Sequence, residues 1–362
     1  MTLDGGCATL TCSVANVTRR RAAGVSDGVV LRRLFFGLTC LGVASLATAC
    51  PGANGGSAVP GSIDATTDGA SDAGIASDAP LEAEAGSPPH IDCPAELDAG
   101  ADAGPVRVRI MTANTTSGAQ QAYEAPGIHI FQGLAPDIAL VQEFNYRAGT
   151  TRELVNTAFG PQFCVYRDPR SGGIPNGIVS RFRIVDAGDW TDPDIPDRAF
   201  TYARIDVPGP IDLWAVSVHL KTSNVTTRIA EAKRLVAYIQ AAVPAGDYVV
   251  VGGDLNTDVE FEQTLAELSA IVVTASPFAV DQNANNKTNA PRAKPYDWLL
   301  ASPALDAKRA AVTIGASSFA AGLVFDSRVY MPLADVAPIL ATDSAATNMQ
   351  HMPVVKEFVL GN

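Results

Sequence analysis

The chain has 362 residues, of which 47% are hydrophobic and 18% charged, and its formal net charge is −12. This length and composition allow one large domain or two ordinary ones and exclude a coiled coil or a fibrous protein. The charge argues against a nucleic-acid partner, but it is unevenly spread: residues 51–105 carry ten acidic and no basic side chains. Residues 106–362 carry 21 basic and 26 acidic ones. Most of the acidity therefore lies outside the part of the chain that is expected to fold.

Residues 1–50 have the features of an N-terminal export leader. An apolar stretch, Leu34–Ala47, follows two arginines and is shorter than the ~20 residues that span a bilayer, which is typical of a secretory signal. The sequence LATAC at residues 46–50 resembles a bacterial lipobox, whose cysteine, here Cys50, becomes lipidated. Simple cleavage after Ala49 is the alternative. We expect an exported protein, either lipid-anchored at the cell envelope or secreted.

Residues 51–105 consist mainly of Ala, Gly, Ser, Asp and Pro, with almost no large apolar side chains. Such a segment cannot bury enough surface to offset the entropy of ordering it, so the composition predicts a disordered tether. After loss of the leader, Cys93 and Cys164 remain besides Cys50. An oxidising compartment favours a disulfide between these two, which would attach the end of the tether to the following domain.

Residues 106–362 contain the segments predicted to fold, and strands outnumber helices among them. One helix is predicted after Asn224, because apolar residues recur three or four positions apart from Ile229 to Val243. Eight apolar runs predict strands: Val106–Ala113, Asp137–Gln142, Gly177–Ser180, Phe182–Val185, Leu213–Leu220, Asp247–Gly252, Asp297–Ala301 and Val354–Leu360. These elements predict a mixed α/β domain within the size range of a single domain.

Polar residues that can carry chemistry stand where several of these strands end. Strand ends are where α/β folds place their chemistry, because rigid strands aim side chains into a shared crevice. Each residue alone is equally well a cap or a turn residue. Together they combine carboxylate, amide and imidazole groups and predict a hydrolytic metal site: Asn114, Glu143, His219, Asp254, Asn256 and His351.

Seven segments, taken in order, resemble the endonuclease/exonuclease/phosphatase superfamily with its deoxyribonuclease I-like fold. They are TANTTSG (112–118), PDIALVQEFN (136–145), NGIVSRFRI (176–184), WAVSVHLKTSN (214–224), VVVGGDLNTD (249–258), PYDWLLA (295–301) and QHMPVVKEF (350–358). The resemblance covers essentially all of residues 106–362, and GGDLN after a buried strand is its most specific element. It implies a four-layer sandwich of two mixed β-sheets flanked by helices, with hydrolysis of a phosphoester bond. It also implies a divalent metal, Mg²⁺ or Mn²⁺.

The resemblance also implies roles for individual residues. Glu143 matches the principal metal ligand, and Asn114 matches the amide beside it. Asp254 matches the residue that orients or deprotonates the attacking water, and Asn256 matches one that contacts the phosphate. His219 matches a histidine that donates a hydrogen bond to a phosphate oxygen and so stabilises the transition state.

Further residues are implied around these. His351 matches the second histidine, a general base or a phosphate binder depending on the member, with Asp297 as its partner. Asn176 matches an amide that touches the substrate. Independently of the resemblance, Asn289, Arg292 and Lys294 in the polar loop 283–294 stand just before Asp297 and are candidate phosphate clamps, with a solvated loop as the alternative.

The sequence departs from the family pattern at Gln350, which stands where Ser-Asp-His has its aspartate. An uncharged amide weakens cation binding, so we expect one metal, held by Glu143, rather than two. Recruitment of Asp343 or loss of activity are the alternatives. The missing anion should also leave His351 more often neutral.

The sequence thus predicts an exported, monomeric, metal-dependent phosphodiesterase that touches membranes only through its lipid anchor. Hydrolysis of DNA or RNA is the leading hypothesis. A phosphatase or sphingomyelinase-like phospholipase on the same fold is the alternative, and a non-catalytic surface-binding protein is a third. A nuclease would need a local basic rim, for which the candidates are Arg170, Arg181, Arg292 and Lys294.

Overall fold

The computed structural model of the chain describes residues 90–95, 97, 104–170 and 173–361. The predicted leader, Cys50 and most of the predicted tether lie outside the described residues. Within the part described, no helix is long and apolar enough to cross a membrane.

Fourteen strands and five α-helices make up the described part of the chain, with 3₁₀ turns at Leu333–Val336 and Asp343–Ala345. The strands are β1 (Val106–Ala113), β2 (Ile138–Val141), β3 (Cys164–Arg167), β4 (Gly177–Ser180), β5 (Ile184–Trp190), β6 (Phe200–Ile205), β7 (Leu213–His219), β8 (Tyr248–Asp254), β9 (Asp297–Ala301), β10 (Arg309–Ala310), β11 (Val312–Ile314), β12 (Ser317–Phe319), β13 (Leu323–Val324) and β14 (Val354–Leu360). The helices are α1 (Ala125–Leu134), α2 (Thr151–Ala158), α3 (Val225–Ala242), α4 (Gln263–Leu268) and α5 (Pro303–Asp306).

Two mixed sheets form the centre of the fold. The first has the order β10-β14-β1-β2-β4-β3, with β13 also pairing with β14, and the second has the order β5-β6-β7-β8-β9. A separate β11–β12 hairpin completes the strands described. One apolar core fills the space between the sheets, a second lies under α1 and α2, and a third lies under α3 and α4. The predicted four-layer sandwich is confirmed.

Burial on both faces explains why the central strands were recognisable in the sequence. In β1, Val108 and Ile110 face the other sheet, whereas Met111 and Ala113 face the helices. Such strands are apolar at nearly every position, so they produce the continuous runs that predicted them. The short strands β3, β6 and β10 to β13 lack this signal and were not predicted.

Helix α3 begins as predicted, but its buried face differs from the apolar pattern. The Asn224 side chain accepts a hydrogen bond from the Thr227 amide, which caps the helix. The face that packs inward carries Leu235 and the charged Arg228, whereas Ile229 is only half-buried. Arg228 can be buried because Glu262 binds its guanidinium through both oxygens, at 2.8 and 2.9 Å.

The packed part of the chain begins before the predicted boundary at residue 106. Asp92 forms a β-bridge with Val165, and its carboxylate binds Arg152 at 2.7 Å. Cys93 forms a disulfide with Cys164, which is fully buried at the start of β3. The part of the predicted tether around Asp92 and Cys93 is therefore held against the first sheet.

Strand register brings the strand ends together. Strands β1 and β2 run parallel, and so do β7 and β8, so the carboxyl ends of each pair lie at the same edge. In the second sheet His219 pairs with Asp254, which pairs with Asp297 at the start of antiparallel β9. Three of the predicted site residues are thus neighbours through backbone pairing alone.

The two glycines of the GGD segment allow this close packing. A Cβ on Gly253 would lie 1.8 Å from the carbonyl oxygen of Val218 in β7, and one on Gly252 would lie 3.1 Å from Thr112 in the opposite sheet. Gly253 therefore permits the β7–β8 pairing that carries His219 and Asp254, whereas Gly252 permits the approach of the two sheets.

We expect Gly253→Ala to lower the free energy of unfolding by about 2 kcal/mol or more, because the added methyl group must push β7 away from β8. Gly104→Ala is the matched control, since a Cβ there meets nothing within 4 Å. Urea denaturation of the two variants measures the difference. Equal stability of the two would show that the strands pair more loosely than described.

Candidate active site

The side chains predicted to be functional converge at one edge of the two sheets. Asn114 follows β1, Glu143 lies two residues beyond β2, and His351 lies three residues before β14. All of them, together with His219, Asp254 and Asp297, are at most 6% exposed. The sandwich therefore excludes most water from a cluster rich in carboxylates and imidazoles.

A continuous chain of close polar contacts links four of these residues, and the contact between His351 and Asp297 is a hydrogen bond. Asp297 Oδ2 lies 3.0 Å from His351 Nδ1, and His351 Nε2 lies 3.3 Å from Asp254 Oδ2. The same Asp254 oxygen lies 3.2 Å from His219 Nε2. The order is Asp297–His351–Asp254–His219, and Asp254 is its centre because it contacts both imidazoles.

Glu143 and Asn114 lie beside this chain. The Asn114 amide nitrogen contacts Glu143 Oε1 at 3.1 Å and Asp254 Oδ2 at 3.3 Å, so it joins the two acidic groups. Thr116 donates a hydrogen bond to Glu143 Oε2 at 2.7 Å. Thr116 lies in the TANTTSG segment but was not singled out in the sequence analysis, since a threonine after a strand is a common turn residue.

The backbone at Glu143 is strained, with a φ of 51°. For a residue that is neither glycine nor asparagine this left-handed conformation costs about 1–3 kcal/mol, and such strain clusters at functional sites. Asn256 has the same φ of 51°, which asparagine tolerates more easily. Its amide nitrogen donates to the Leu220 carbonyl, and its backbone N–H donates to Asp254 Oδ1 at 3.0 Å. Asn256 therefore orients Asp254.

Burial and mutual repulsion raise the pKa of Asp254 to about 7. Desolvation is the main cause, the charged His351 opposes it, and the carboxylates of Asp297 and Glu143 add to it. A carboxyl group with this pKa can accept a proton near neutral pH, as a general base must.

His351 is held as a cation. Burial alone would lower its pKa, but the carboxylates of Asp254 and Asp297 outweigh burial and raise the pKa to about 10. The effect of the missing aspartate at position 350 stays a prediction, but His351 is charged here without it. Its two carboxylate partners come from other strands and do not depend on the neighbouring residue.

The pKa of His219 is shifted in the opposite direction. Burial, the positive charge of Arg198 and the charge of His351 lower its pKa well below the usual value, so the ring is neutral. Its Nδ1 is buried, lies 4.0 Å from Glu143 Oε1 and has no hydrogen-bond partner among the described residues. This nitrogen is available to a ligand.

The donor set fits a divalent cation beside Glu143. The buried carboxylates of Glu143, Asp254 and Asp297 outnumber the single imidazolium of His351, and uncompensated buried charge is costly. Asn114 Oδ1 is buried without a partner in the described part of the chain. Oxygen donors of this kind are those that Mg²⁺ and Mn²⁺ prefer.

A second group, formed by Asp254, Asp297 and His351, has ligand atoms within 4.8 Å of one another. In this group both ring nitrogens of His351 face carboxylate oxygens. A doubly protonated imidazole has no lone pair for a metal, so Glu143 and Asn114 remain the better candidates.

Two of the predicted substrate-binding residues lie close to the cluster. Asn176 is fully buried and donates to the Ala199 carbonyl at 2.6 Å, while its Oδ1 has no partner among the residues described. Asn289 forms a β-bridge with His351, and its side-chain oxygen accepts from the backbone of Ala293 and Lys294. The side-chain carbonyl group of Asn289 thus stabilises the turn of the polar loop.

Arg292 does not match its predicted role. Its guanidinium contacts Asp281 at 2.8 Å and Asp326 at 2.6 Å and also donates to the Lys287 carbonyl. The residue is therefore committed to holding the loop together, which corrects its interpretation as a phosphate clamp.

The other candidates for a basic rim are also paired. Arg170 contacts Asp168 at 3.1 Å, Arg181 contacts Asp137 at 2.9 Å, and Lys294 contacts Asp258 at 2.5 Å, so none is a free cation. Asp343, suggested as a substitute ligand, binds His129 at 3.1 Å instead of joining the cluster. The Gln350 side chain is exposed, and the backbone carbonyl of Gln350 accepts a hydrogen bond from the Ala290 N–H.

A broad open groove of about 900 Å³ adjoins the segment after Glu143. Its lining includes Phe144, Asn145 and two arginines, Arg147 and Arg167. The groove thus begins next to Glu143, although none of the six clustered side chains lines it.

A model of the endonuclease/exonuclease/phosphatase family matches residues 123–318. A solved protein of unknown function from Enterococcus faecalis is 12% identical, with a TM-score of 0.50, and the match covers 70% of this chain and 100% of that one. An endonuclease/exonuclease/phosphatase from Beutenbergia cavernae is 18% identical over 71% of this chain and 72% of its own, with a TM-score of 0.47. Truncated TDP2 from Caenorhabditis elegans is 15% identical over 70% and 98%, with a TM-score of 0.49. At these identities the likeness is one of fold, and no curated protein sequence matches the chain.

We expect His351 of the metal-free protein to stay protonated up to about pH 10 and His219 to stay neutral near pH 7. Replacing Asp297 by Asn removes one of the carboxylates that favour the imidazolium, so the pKa of His351 should fall. Histidine NMR titration in EDTA measures both. Asp343→Asn is the control and should leave the pKa of His351 unchanged. An unchanged pKa of His351 in Asp297→Asn would contradict the contact between these two residues.

Proposed function

Because the chain belongs to the endonuclease/exonuclease/phosphatase family, whose members are generally phosphoester hydrolases, we propose that it hydrolyses phosphodiester bonds. The observation that carries the proposal is the chain Asp297–His351–Asp254–His219, in which one carboxyl group of raised pKa lies between a charged and a neutral histidine. Such separation of protonation states within one cluster is typical of acid–base catalysis.

We propose that Glu143 and the Asn114 side-chain oxygen hold one Mg²⁺ or Mn²⁺. When bound, the cation supplies positive charge to the phosphate oxygens during displacement. One cation rather than two is supported by the exposure of Gln350 and by the pairing of Asp343 with His129.

We propose Asp254 as the group that takes the proton of the attacking water. Its pKa of about 7 lets it accept that proton at neutral pH, and Asn256 holds its second oxygen in place. His351 is too strongly protonated to act as a base. Fixed between Asp254 and Asp297, it contributes a positive charge beside the reacting phosphate.

His219 is suited to bind the phosphate. Its Nε2 faces Asp254 and its Nδ1 is left for a ligand. A neutral ring carries a single N–H. Once Asp254 has taken a proton it can donate to His219 Nε2, so the ring N–H stands on Nδ1 and can donate to a phosphate oxygen, a bond that strengthens as charge builds up in the transition state.

Nucleic acid is the substrate we propose first. The groove after Glu143 is lined mainly by polar residues, and its exposed Arg147 can contact a phosphate. Arg167, also in the lining, is bound to Phe144, Asn145 and Asp168. A phospholipid head group is the second candidate, favoured by Phe261, which is 86% exposed in the loop that follows Asn256. The pairing of Arg170, Arg181 and Lys294 also leaves little basic surface for a polyanion.

We also propose that the protein acts outside the cytoplasm as a monomer. The LATAC sequence at residues 46–50 supports a lipid anchor at Cys50, and the Cys93–Cys164 disulfide is consistent with an oxidising compartment.

A substrate panel tests the reaction. We expect the full chain to cleave DNA or RNA with Mg²⁺ or Mn²⁺, and EDTA to abolish the cleavage because Glu143 then has no cation. Sphingomyelin and inositol phosphates complete the panel. Cleavage of sphingomyelin alone would favour the phospholipid head group, and a folded protein that cleaves none of these with either metal would refute the proposal.

Two substitutions test the roles. We expect Asp254→Asn to lower kcat by about 10²–10⁴-fold, because the amide cannot take a proton, and His219→Gln by about 10²–10³-fold. Both should fold, since Asp254→Asn also removes repulsion from Glu143 and Asp297. His129→Gln is the matched control, because His129 binds Asp343 outside the cluster. A kcat in the His219 variant equal to that of the control would contradict the assignment.

A further inference from the structure

Arg198 is a buried arginine that lies beside the candidate site. Only 8% of its side chain is exposed, yet the guanidinium makes no hydrogen bond to any of the residues described. Its Nε is fully buried without a partner. Its Nη1 lies 3.8 Å from Oδ1 of the adjacent Asp197, whose side chain is 48% exposed.

Strand register places Arg198 at the same edge as the catalytic cluster. Strand β6 pairs with β7 so that Thr201 lies opposite Ser217. Continuing this antiparallel register brings the two residues before β6 beside the end of β7, where His219 stands. The Ala199 carbonyl, one residue from Arg198, accepts the hydrogen bond from Asn176.

A buried guanidinium without partners is costly, and this chain shows how such a group is normally satisfied. Arg228 is also buried, and both oxygens of Glu262 and the carbonyls of Lys221 and Thr222 bind it. Arg198 has none of these contacts. Its five donors, in a planar fork, match the oxygens of a phosphate group.

Glu231 is a buried acidic group in the field of Arg198, but the two form no ion pair. Burial and Asp192 raise the pKa of Glu231 to about 8, and the positive charge of Arg198 opposes this rise. Asp192 itself is contacted by Arg234 at 3.5 Å. Among the residues described, only Asp197 has a carboxylate within 4 Å of Arg198, so the guanidinium keeps donors for a ligand.

We propose that Arg198 is a substrate-binding residue whose guanidinium binds oxygens of the phosphate group under attack, beside His219. This inference rests on the proposed phosphodiesterase function and adds a second cationic group to that site. An arginine there stabilises the negative charge that builds up on the phosphate oxygens, and it does so without a second metal.

The test compares Arg198→Met with Arg204→Met in the full chain. Arg204 lies at the other end of β6, is 41% exposed and pairs with Asp212 at 2.7 Å, so it is a matched arginine outside the site. We expect Arg198→Met to weaken the binding of inorganic phosphate by about 10- to 100-fold, measured by calorimetry. With the best substrate of the panel, kcat should fall by about 10²–10³-fold. Arg204→Met should match the wild type in both.

The proposal is overturned if Arg198→Met keeps the phosphate affinity and kcat of Arg204→Met, or if the wild type does not bind phosphate. Should Arg198→Met fail to fold, Arg198→Lys decides, because it keeps the charge but not the planar fork. Weaker phosphate binding by Arg198→Lys supports the proposal, and unchanged binding overturns it. Phosphate binding needs no turnover, so it can depend on Arg198 even if the panel shows no cleavage and the proposed function fails.

Discussion

The contact of one buried carboxyl group with two imidazoles is the interaction on which the site depends. Asp254 Oδ2 lies within 3.3 Å of a ring nitrogen of His219 and of His351. His219 and Asp254 end β7 and β8 of the second sheet, whereas His351 precedes β14 of the first sheet. The oxygen can meet both rings only if the two sheets are stacked with these ends at one edge. The four-layer architecture is therefore a condition for the chemistry as well as a way of burying apolar surface.

This geometry demands a dry interior, and the dry interior sets the charges. Asp254 is only 1% exposed, so desolvation favours its protonated form and raises its pKa. The same exclusion of water strengthens the attraction between His351 and its two carboxylates and keeps that ring charged. His219 loses its charge instead, because burial and the positive charges of Arg198 and His351 lower its pKa. Two histidines in one cluster thus hold opposite states because of their neighbours.

Much of this arrangement could be predicted from the sequence, for a physical reason. Strands buried on both faces are apolar at nearly every position, and the polar residue that ends each run marks the edge of the sheet. Asn114, Glu143, His219 and Asp254 were found in this way. The ionisation of His351 could not be predicted, because its partners are distant in sequence. Arg292 was misread for the same reason, since its partners Asp281 and Asp326 lie 11 and 34 residues away. Arg198 follows an acidic loop and belongs to no motif.

The substitution at position 350 is consistent with these charges. In a site that already contains Glu143, Asp254 and Asp297, a further buried carboxylate would need a further cation to offset it. Here the neighbouring side chain is an exposed, uncharged glutamine. If Arg198 supplies positive charge to the phosphate from the β6 side, one metal at Glu143 and one arginine can bracket the reacting group. The site then balances its charges with fewer acidic residues, and Gln350 does not have to indicate a loss of activity.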